Sequence, residues 1–396
     1  MLSQKIVTNM SRGSMIRAMF EEGAKLKQLY GADKVFDFSL GNPDVEPPEA
    51  VQEAFRKYIS EPNIHKYMNN AGFTDVREAI AAKLQKETGV PLTSGNVVMT
   101  CGAAGGLNVV LKTILNPGEE VIVFAPYFVE YNSYVDNNQG STVVVPPNTD
   151  TFQPDAEIFR KYITPKTKAI IINSPNNPTG VIYGRETLTS LAKVLEEKEK
   201  EFGTTIFVLS DEPYSKLVFD GAEVPSVLEN FKNAIVVNSY SKSLALPGER
   251  IGYIAASSRI GEVELLVGGL VYCNRVLGFV NAPSLLQKVV AASLDAAVDT
   301  DIYKKRRDTL YDHLIKLGFT CVKPQGAFYL FPKSPIPDEA EFKNIALKYN
   351  ILLVPGSGFG CPGYFRLAYC VSQQTIENSL PAWEALAREL NMGTHL

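Results

Sequence analysis

Lys242 follows a short apolar run and precedes an arginine by eight residues, in the stretch SYSKSLALPGER over residues 239–250. Because removing a charge from water at the mouth of a buried strand is costly, an anionic group between Lys242 and Arg250 would explain both residues. A lysine in cationic or apolar surroundings has a lowered pKa and can form an imine with an aldehyde. The alternative is a solvent-facing lysine at the end of a loop, which is the commoner fate of any single lysine.

A glycine-rich turn, GAAGG over residues 102–106, opens a helical pattern directly after the apolar run NVVMT. Free backbone N–H groups and the helix dipole make such a terminus an anion site, and Ser239 and Arg250 could share a phosphate with it. A tight turn without a ligand is the alternative. The spacing matches neither a P-loop nor the dinucleotide fingerprint, so the sequence gives no support for a nicotinamide dehydrogenase.

Three polar side chains follow other apolar runs. Asp211 follows IFVLS and is expected to be buried, where its carboxylate needs a partner such as a protonated heteroaromatic nitrogen; a structural ion pair or a helix cap is the alternative. Tyr214 could donate to a phenolate-like oxygen or be an ordinary half-buried tyrosine. Asn177, in NNPTG, could serve as a hydrogen-bonding amide in the site or could simply favour the turn.

The elements that must position these residues follow an α/β pattern. Short, almost continuously apolar runs alternate with helical stretches, as is typical of strands buried on both faces of a mostly parallel sheet. The runs cover residues 96–100, 120–126, 168–175, 204–213, 233–242 and 250–257. Because ligands bind beyond the carboxyl ends of parallel strands, the polar clusters after these runs predict a cofactor pocket at one sheet edge.

Helical periodicity predicts helices over residues 15–30, 48–58, 74–88 and 339–348, and one long helical pattern over 282–317. The rhythm changes after that pattern and is typical of a smaller α+β domain. We therefore expect an N-terminal arm that joins part of the small domain (1–47), a large α/β domain (48–284) and a small C-terminal α+β domain (285–396).

Composition narrows the function classes. The chain has 396 residues and a net charge of −4, which gives no electrostatic case for nucleic acid or an anionic membrane surface. No apolar run is long enough to span a bilayer, and the first residues lack the apolar stretch of a signal peptide. Five scattered cysteines without a Cys-x-x-Cys pair, and only three histidines, favour neither disulfides nor a metal site. We expect a cytoplasmic protein.

Taken together, the motifs resemble those of the class I and II aminotransferases, which have the aspartate aminotransferase fold. The resemblance runs nearly end to end and is specific in order and spacing. The motifs are SLGNPD, YMNNAGFTDVREAIA, NSPNNPTG, DEPY, SYSKSLALPGERIGY, GAFYLFP, VPGSGFG and FRLAY. The resemblance implies the cofactor pyridoxal 5′-phosphate, and an amino acid and a 2-oxo acid as substrates.

By this resemblance, Lys242 is the Schiff-base lysine and moves the proton between the substrate Cα and the cofactor. Asp211 pairs with the pyridine nitrogen, and Asn177 and Tyr214 contact the ring 3′-oxygen. Phe128, in APYFVEY, stacks on the ring. Asp211 would keep the pyridine nitrogen protonated, so that the ring can take up the electrons of the substrate Cα.

The resemblance also assigns the phosphate and the substrate carboxylate. The phosphate contacts would be Gly102, Ala103, Ala104, Ser239 and Arg250. Arg366 would hold the α-carboxylate as a two-pronged clamp, and Gly41 would bring backbone close to the substrate. Tyr67 would reach the phosphate of a neighbouring subunit, which implies a homodimer with shared active sites.

The chain departs from aspartate-type relatives where those carry a cation for the side-chain carboxylate. It has Phe279 and Ala104 at those places, with Arg275, Arg12 and Arg17 as possible substitutes. We therefore expect transfer from an L-amino acid to 2-oxoglutarate or a similar acid, with aspartate specificity in doubt. A carbon–sulfur β-lyase, or another lyase or synthase on the same fold, is the alternative. A cofactor-binding regulator is disfavoured because no DNA-binding extension is present.

Overall fold

A seven-stranded sheet forms the centre of the computed structural model, which describes residues 2–11 and 15–393. The strands in these ranges are β1 (Phe36–Asp37), β2 (Val97–Thr100), β3 (Glu120–Phe124), β4 (Ser141–Val145), β5 (Thr167–Asn173), β6 (Phe207–Asp211), β7 (Ala234–Ser239), β8 (Gly252–Ala256), β9 (Tyr329–Leu330), β10 (Ile351–Leu352), β11 (Val354–Pro355) and β12 (Phe365–Ala368). The central sheet has the order β2-β8-β7-β6-β5-β3-β4. In this sheet β8 runs opposite to the other six strands, and the pairs among β7, β6, β5, β3 and β4 are parallel, so the predicted mostly parallel α/β architecture is confirmed.

Helices pack on this sheet and beyond it. The described ranges contain α1 (Gln4–Ser11), α2 (Met15–Tyr30), α3 (Glu49–Tyr58), α4 (Thr74–Thr88), α5 (Gly102–Ile114), α6 (Glu130–Asn137), α7 (Ala156–Arg160), α8 (Arg185–Phe202), α9 (Val227–Asn230), α10 (Val263–Val276), α11 (Ser284–Ala291), α12 (Thr300–Lys316), α13 (Glu339–Lys348) and α14 (Gln373–Glu389). The helices predicted over residues 15–30, 74–88 and 339–348 have the predicted bounds. Turns of 3₁₀ helix lie at Ala32–Lys34, Ser94–Asn96, Pro247–Glu249 and Gly356–Phe359.

Alternate side chains of each central strand enter two different cores. On β7, Val236 belongs to a core on one face of the sheet, which also contains Ile170 of β5. Ile235 and Val237 belong to the core on the other face, together with Leu107 of α5. A strand covered on both faces needs apolar side chains at every position, and each buried Val or Ile contributes about 1.5–3 kcal/mol.

A third core lies among the C-terminal elements. Trp383 of α14 packs with Phe342 of α13 and Phe365 of β12, and all three are fully buried. Phe38, directly after β1, belongs to the same core, and β1 pairs in parallel with β10. Residues from both ends of the chain therefore share one core. The boundaries at residues 47 and 284 stay a prediction.

The prediction of one continuous helical segment over residues 282–317 was wrong, because this range contains two helices, α11 and α12. The backbone N–H of Val298 between them donates to the carbonyl oxygen of Ser243, a bond that a continuous helix could not make. Asp299 then caps α12, since its side chain accepts from the N–H of Asp301. The strand β4 was not predicted; it is an edge strand whose side chains are partly exposed.

Within residues 2–11 and 15–393, no helix has the length and apolar character that crossing a bilayer requires. The cytoplasmic location stays a prediction.

Candidate active site

A cavity of about 510 Å³ opens at the carboxyl ends of β5, β6 and β7, beside the first turn of α5. The predicted site residues that line it are Gly41, Ala103, Ala104, Phe128, Asn177, Asp211, Tyr214, Ser239, Lys242, Arg250 and Arg366. Gly102 begins α5 next to the Arg250 guanidinium. Tyr67 does not line the cavity, and its side chain is 90% exposed. Apart from Tyr67, the structure brings the predicted residues together.

Lys242 lies three residues beyond the end of β7 and extends into the cavity. Its Nζ donates a 2.6 Å hydrogen bond to the carbonyl oxygen of Gly41 and lies 5.5 Å from the centre of the Phe328 ring. The pKa of Lys242 is lowered to about 8, chiefly because burial disfavours the charged amine; Arg366 and Arg250 act in the same direction. A neutral amine, which is the nucleophilic form, is therefore accessible near neutral pH.

Asp211 ends β6 and is buried with one carboxylate oxygen unsatisfied. Its Oδ2 accepts a 2.6 Å hydrogen bond from the hydroxyl of Tyr131, whereas Oδ1 is buried without a hydrogen-bond partner. Burial raises the pKa of Asp211 to about 6, and the bond from Tyr131 opposes that rise. A buried carboxylate oxygen that lacks a donor is costly, so this site favours a ligand with an N–H group or a positive charge.

Asn173, the last residue of β5, fixes two of the predicted residues. Its Nδ2 donates to the backbone oxygen of Asp211 at 2.9 Å, and its Oδ1 accepts from the backbone N–H of Asn177 at 2.7 Å. Tyr214 follows Asp211 by three residues, and its hydroxyl lies 2.8 Å from the Tyr329 hydroxyl. The ends of β5 and β6 are thus tied together where the cavity begins.

The first turn of α5 has the features of an anion site. Its cap residue, Cys101, makes no side-chain capping bond, so the first N–H groups of α5 receive no side-chain acceptor there. Gly102 has a φ of +71°, and a Cβ on it would lie 2.9 Å from Arg250 Nη2. Glycine therefore allows the guanidinium to approach the turn closely, while Ser239 closes the cavity from β7.

Arg366 of β12 is a buried cation, with 2% of its surface exposed. Nη1 donates to Asn177 Oδ1 at 3.0 Å, Nη2 donates to the backbone oxygen of Ser39, and Nε is buried without a partner. No carboxylate of the described residues forms an ion pair with it, and burial lowers its pKa. A buried guanidinium without a counter-ion favours an anionic ligand such as a carboxylate.

Of the positions considered for recognising a second substrate carboxylate, neither Phe279 nor Arg275 lines this cavity. Phe279 lies beside α5, where a Cβ on Gly105 would come within 3.5 Å of its ring, and does not reach the lining. Arg275 is exposed and lies over the Tyr272 ring at 5.5 Å. Arg12 and the side chain of Arg17 lie outside the described residues. Within those residues, the cations that line the cavity are Lys242, Arg250 and Arg366.

Sequence reasoning missed several residues of the site. Asn173 and Tyr131 hold the predicted residues in place, and Phe20 of α2 and Leu40 contribute apolar surface at the cavity. Asn173 carried a readable signal, because it is the polar residue that ends the run AIII. Tyr131 carried none, since its partner Asp211 is 80 residues away in the chain.

The family of the chain follows from its match to known proteins. The family model described as aminotransferase class I and II matches residues 33–382, so the chain belongs to the class I and II aminotransferases. Enzymes of this family depend on pyridoxal 5′-phosphate and use amino acids and 2-oxo acids as substrates. The chain is therefore a pyridoxal-phosphate-dependent aminotransferase with the aspartate aminotransferase fold.

Individual relatives are similar over almost their whole length. Aspartate/prephenate aminotransferase of Thermus thermophilus is 34% identical over 358 residues, which cover 89% of this chain and 90% of the relative. Probable N-acetyl-LL-diaminopimelate aminotransferase of Bacillus subtilis is 32% identical and covers 89% of each. Among solved structures, an amino transferase of Eubacterium rectale has a TM-score of 0.96 at 38% identity, covering 98% of this chain and 99% of that one. Relatives of similar identity thus carry names with different substrates.

The residues present fit pyridoxal phosphate. The unsatisfied Oδ1 of Asp211 matches a protonated ring nitrogen, and the uncapped first turn of α5 beside Arg250 matches the phosphate. Lys242 supplies an amine of lowered pKa in the same cavity. The site therefore provides a partner for each charged or reactive part of the cofactor.

Proposed function

We propose that this enzyme transfers the amino group of an L-amino acid with a neutral side chain to a 2-oxo acid, and that Lys242 is the attachment point of pyridoxal phosphate. The observation that carries the proposal is that Lys242 and Arg366 line one cavity. An amine whose pKa is about 8 can accept a proton, and a buried arginine without a counter-ion can bind a carboxylate. Transfer of an amino group from an α-amino acid requires both: a group that binds the α-carboxylate and a base that accepts the Cα proton.

The cofactor, when bound, supplies an aldehyde for the amino group and a ring that withdraws electrons from the substrate Cα. Asp211 Oδ1 would hold the ring nitrogen, Asn177 and Tyr214 the ring oxygen, and Phe128 one ring face. The phosphate would be held by Gly102, Ala103, Ala104, Ser239 and Arg250. Asp211 is buried at the rigid end of a strand, which supports this orientation. A carboxylate held in this way would keep the ring nitrogen in a fixed position.

Arg366 and Lys242 would act on the substrate itself. Arg366 Nε has no partner and Nη1 reaches only the Asn177 amide, so the guanidinium can pair with the α-carboxylate. Lys242 Nζ is the base that takes the proton from the substrate Cα. Its pKa of about 8 leaves a usable neutral fraction near pH 7, unlike an ordinary lysine. Gly41, which already accepts from Nζ, would contact the substrate through its backbone.

The preference for a neutral side chain rests on the rest of the lining. The three lining cations of the described residues are all assigned, and the remaining surface includes Phe20, which is 46% exposed, and Leu40, which is 38% exposed. Glu130 adds a negative charge that would repel a second substrate carboxylate. The same lining would disfavour a dicarboxylic acceptor, because 2-oxoglutarate carries the same distal carboxylate as glutamate.

A half-reaction assay tests the donor preference. The purified enzyme, loaded with pyridoxal phosphate, is mixed with phenylalanine, leucine, aspartate or glutamate, and the loss of the visible cofactor band is followed without an acceptor. We expect the second-order rate constant for phenylalanine or leucine to exceed that for aspartate by about tenfold or more, as for an unpaired buried charge. An equal or faster reaction with aspartate would refute the preference but not the transfer chemistry.

Adding pyruvate or 2-oxoglutarate then tests the transfer. A new amino acid formed from the added 2-oxo acid supports transamination. Cysteine, whose thiol can leave from Cβ, is incubated separately without any acceptor. Release of sulfide, ammonia and pyruvate from it would instead indicate the carbon–sulfur lyase alternative, and would contradict the proposal.

We also propose a homodimer in which Tyr67 completes the phosphate site of the other subunit. Tyr67 is 90% exposed, and α10 presents the exposed apolar side chains Leu265, Tyr272 and Val276. Lys242→Ala and Tyr67→Phe homodimers are mixed and allowed to exchange subunits. In a shared-site dimer, the hybrid has one intact site, so activity rises above the sum of the two preparations. Activity that stays at the sum, or a monomer in sedimentation analysis, would contradict shared sites.

A further inference from the structure

Tyr131 has no role in the functions proposed so far, yet it makes the shortest side-chain contact of Asp211. It lies in the first turn of α6, is 2% exposed, and donates from its hydroxyl to Asp211 Oδ2 at 2.6 Å. The contact joins residues 80 positions apart in the chain. Its length is typical of a charge-assisted O–H···O⁻ bond.

We propose that Tyr131 is the positioning residue that aims Asp211 Oδ1 at the cofactor ring nitrogen and keeps the proton on that nitrogen. This inference rests on the proposed role of Asp211 toward the ring. It concerns how the chain tunes that role, and it assigns Tyr131 no contact with the reacting atoms.

The two carboxylate oxygens of Asp211 have different surroundings, and this difference orients the carboxylate. The terminal torsion of an aspartate is broad, so an unrestrained carboxylate presents either oxygen over a range of angles. Tyr131 occupies Oδ2, and Oδ1 is left as the buried oxygen without a donor. The Asn173 bond to the backbone oxygen of Asp211 fixes the main chain at the same place. Together these two bonds determine which oxygen faces the cofactor.

The charges and hydrogen-bond donors around Asp211 decide whether a shared proton resides on the ring nitrogen or on Oδ1. No cation of the described residues forms an ion pair with Asp211; its side chain bonds to Tyr131, and the hydroxyls of Tyr134 and Tyr214 and the Glu212 carboxyl lie in its electrostatic surroundings. A donor to the carboxylate stabilises its negative form and makes it a weaker base. Donation from Tyr131 therefore favours a proton on the ring nitrogen over a proton on Oδ1.

The same side chain also supports the aromatic residue proposed to cover the ring. The rings of Tyr131 and Phe128 are in edge contact, with centroids 5.6 Å apart and planes at 88°. Tyr131→Phe can keep this contact while it removes only the hydroxyl. The two contributions of Tyr131 can thus be separated by experiment.

The test measures ring-nitrogen protonation directly, by the ¹⁵N chemical shift of ¹⁵N-labelled pyridoxal phosphate bound to the enzyme. We expect Tyr131→Phe to move the shift toward the unprotonated position and to weaken cofactor binding by about tenfold to a hundredfold, the range for a hydrogen bond to a charged group. Site-specific Tyr131→3-fluorotyrosine should move the shift the opposite way, because its more acidic hydroxyl is a stronger donor. Tyr183→Phe removes a buried hydroxyl outside the cavity and should leave the shift unchanged.

Each outcome decides one claim. An unchanged shift in Tyr131→Phe and in the fluorotyrosine variant overturns the inference, even if activity falls. The near-isosteric fluorotyrosine variant decides the matter if Tyr131→Phe does not fold. Asp211→Asn separates the two levels: if it also leaves the shift unchanged, the proposed role of Asp211 fails, whereas a changed shift there with none in the Tyr131 variants rejects Tyr131 alone.

Discussion

Arg366 Nη1 donates a 3.0 Å hydrogen bond to Asn177 Oδ1, across 189 residues of sequence. The bond joins β12, among the C-terminal elements, to the segment that follows β5 of the central sheet. The residue proposed for the substrate carboxylate is therefore oriented by a residue proposed for the cofactor ring. A substrate bound to Arg366 would be held in a fixed relation to the ring, as catalysis by orientation requires.

Arg366→Ala should impair substrate binding more than cofactor binding. Loss of a charge-assisted clamp is worth about 1.5–3 kcal/mol, so we expect KM for the amino donor to rise about tenfold to a hundredfold. Steady-state kinetics with the preferred donor measure this. The control is Arg185→Ala, which removes an exposed arginine that pairs with Glu229. A KM equal to that of the control would show that Arg366 does not hold the carboxylate.

Gly102→Ala should weaken cofactor binding through a local collision. Gly102 has a φ of +71°, and a Cβ there meets Arg250 Nη2 at 2.9 Å. Gly203 is a matched control, with a φ of +64° and no atom within 4 Å of the added Cβ. Each alanine costs about 1–2 kcal/mol of backbone strain, but only Gly102→Ala should reduce affinity for pyridoxal phosphate. Fluorescence titration of the cofactor-free variants checks this, and similar affinities would argue against a phosphate site at this turn.

The stability of the cofactor-free enzyme should depend on pH through Asp211. Its pKa of about 6 in the folded protein exceeds the ordinary 3.8, so the native state binds more protons than the unfolded chain between these values. The free energy of unfolding should therefore fall by roughly 3 kcal/mol as the pH rises from about 4 to above 6. In Asp211→Asn the part of this fall that comes from Asp211 should be absent.

Urea unfolding of both proteins between pH 4 and pH 7 measures the difference. Glu212, whose pKa burial raises to about 7, titrates in both proteins; Asp211 is a lesser cause of that rise, so most of the Glu212 contribution is common to both. Parallel pH profiles for the two proteins would mean that Asp211 is not an unpaired buried carboxylate.

Ala104→Lys should shift the donor preference toward dicarboxylic amino acids. Ala104 lines the cavity at the first turn of α5, where a lysine would add a cation for a second carboxylate. We expect the ratio of kcat/KM for aspartate to that for phenylalanine to rise at least about tenfold. Ala104→Met adds similar length without charge and should leave the ratio unchanged. A ratio that rises equally in both variants would point to shape rather than charge.

Much of the central sheet could be predicted because its strands are covered on both faces. β5 and β7 show continuous apolar runs for this reason, and the polar residues after them mark the cavity. β4 is an edge strand with partly exposed side chains, so its sequence lacks that signature. The break between α11 and α12 depends on the bond from Val298 to Ser243, which no local pattern reports.

The residues of the candidate site also fall into those that a local sequence pattern predicts and those that only a tertiary contact defines. Asp211 ends a strand, and Lys242 and Asn177 lie shortly after strands. All three belong to motifs with fixed spacing, so residue type and order were sufficient to predict them. Tyr131 is defined only by its contact with Asp211, a tertiary contact that the fold creates. The role of Tyr131 could not be predicted from the sequence, because a buried tyrosine in a short helix has many structural explanations.

Covalent attachment at Lys242 is the central claim, and peptide mapping tests it most directly. The enzyme loaded with pyridoxal phosphate is reduced with borohydride, which makes a lysine–cofactor bond permanent, and is then digested and analysed by mass spectrometry. The account predicts that the reduced cofactor is found on the peptide that contains Lys242, and that Lys242→Ala yields no labelled peptide. Label on another lysine, such as Lys216, or none in the wild-type enzyme, would contradict it.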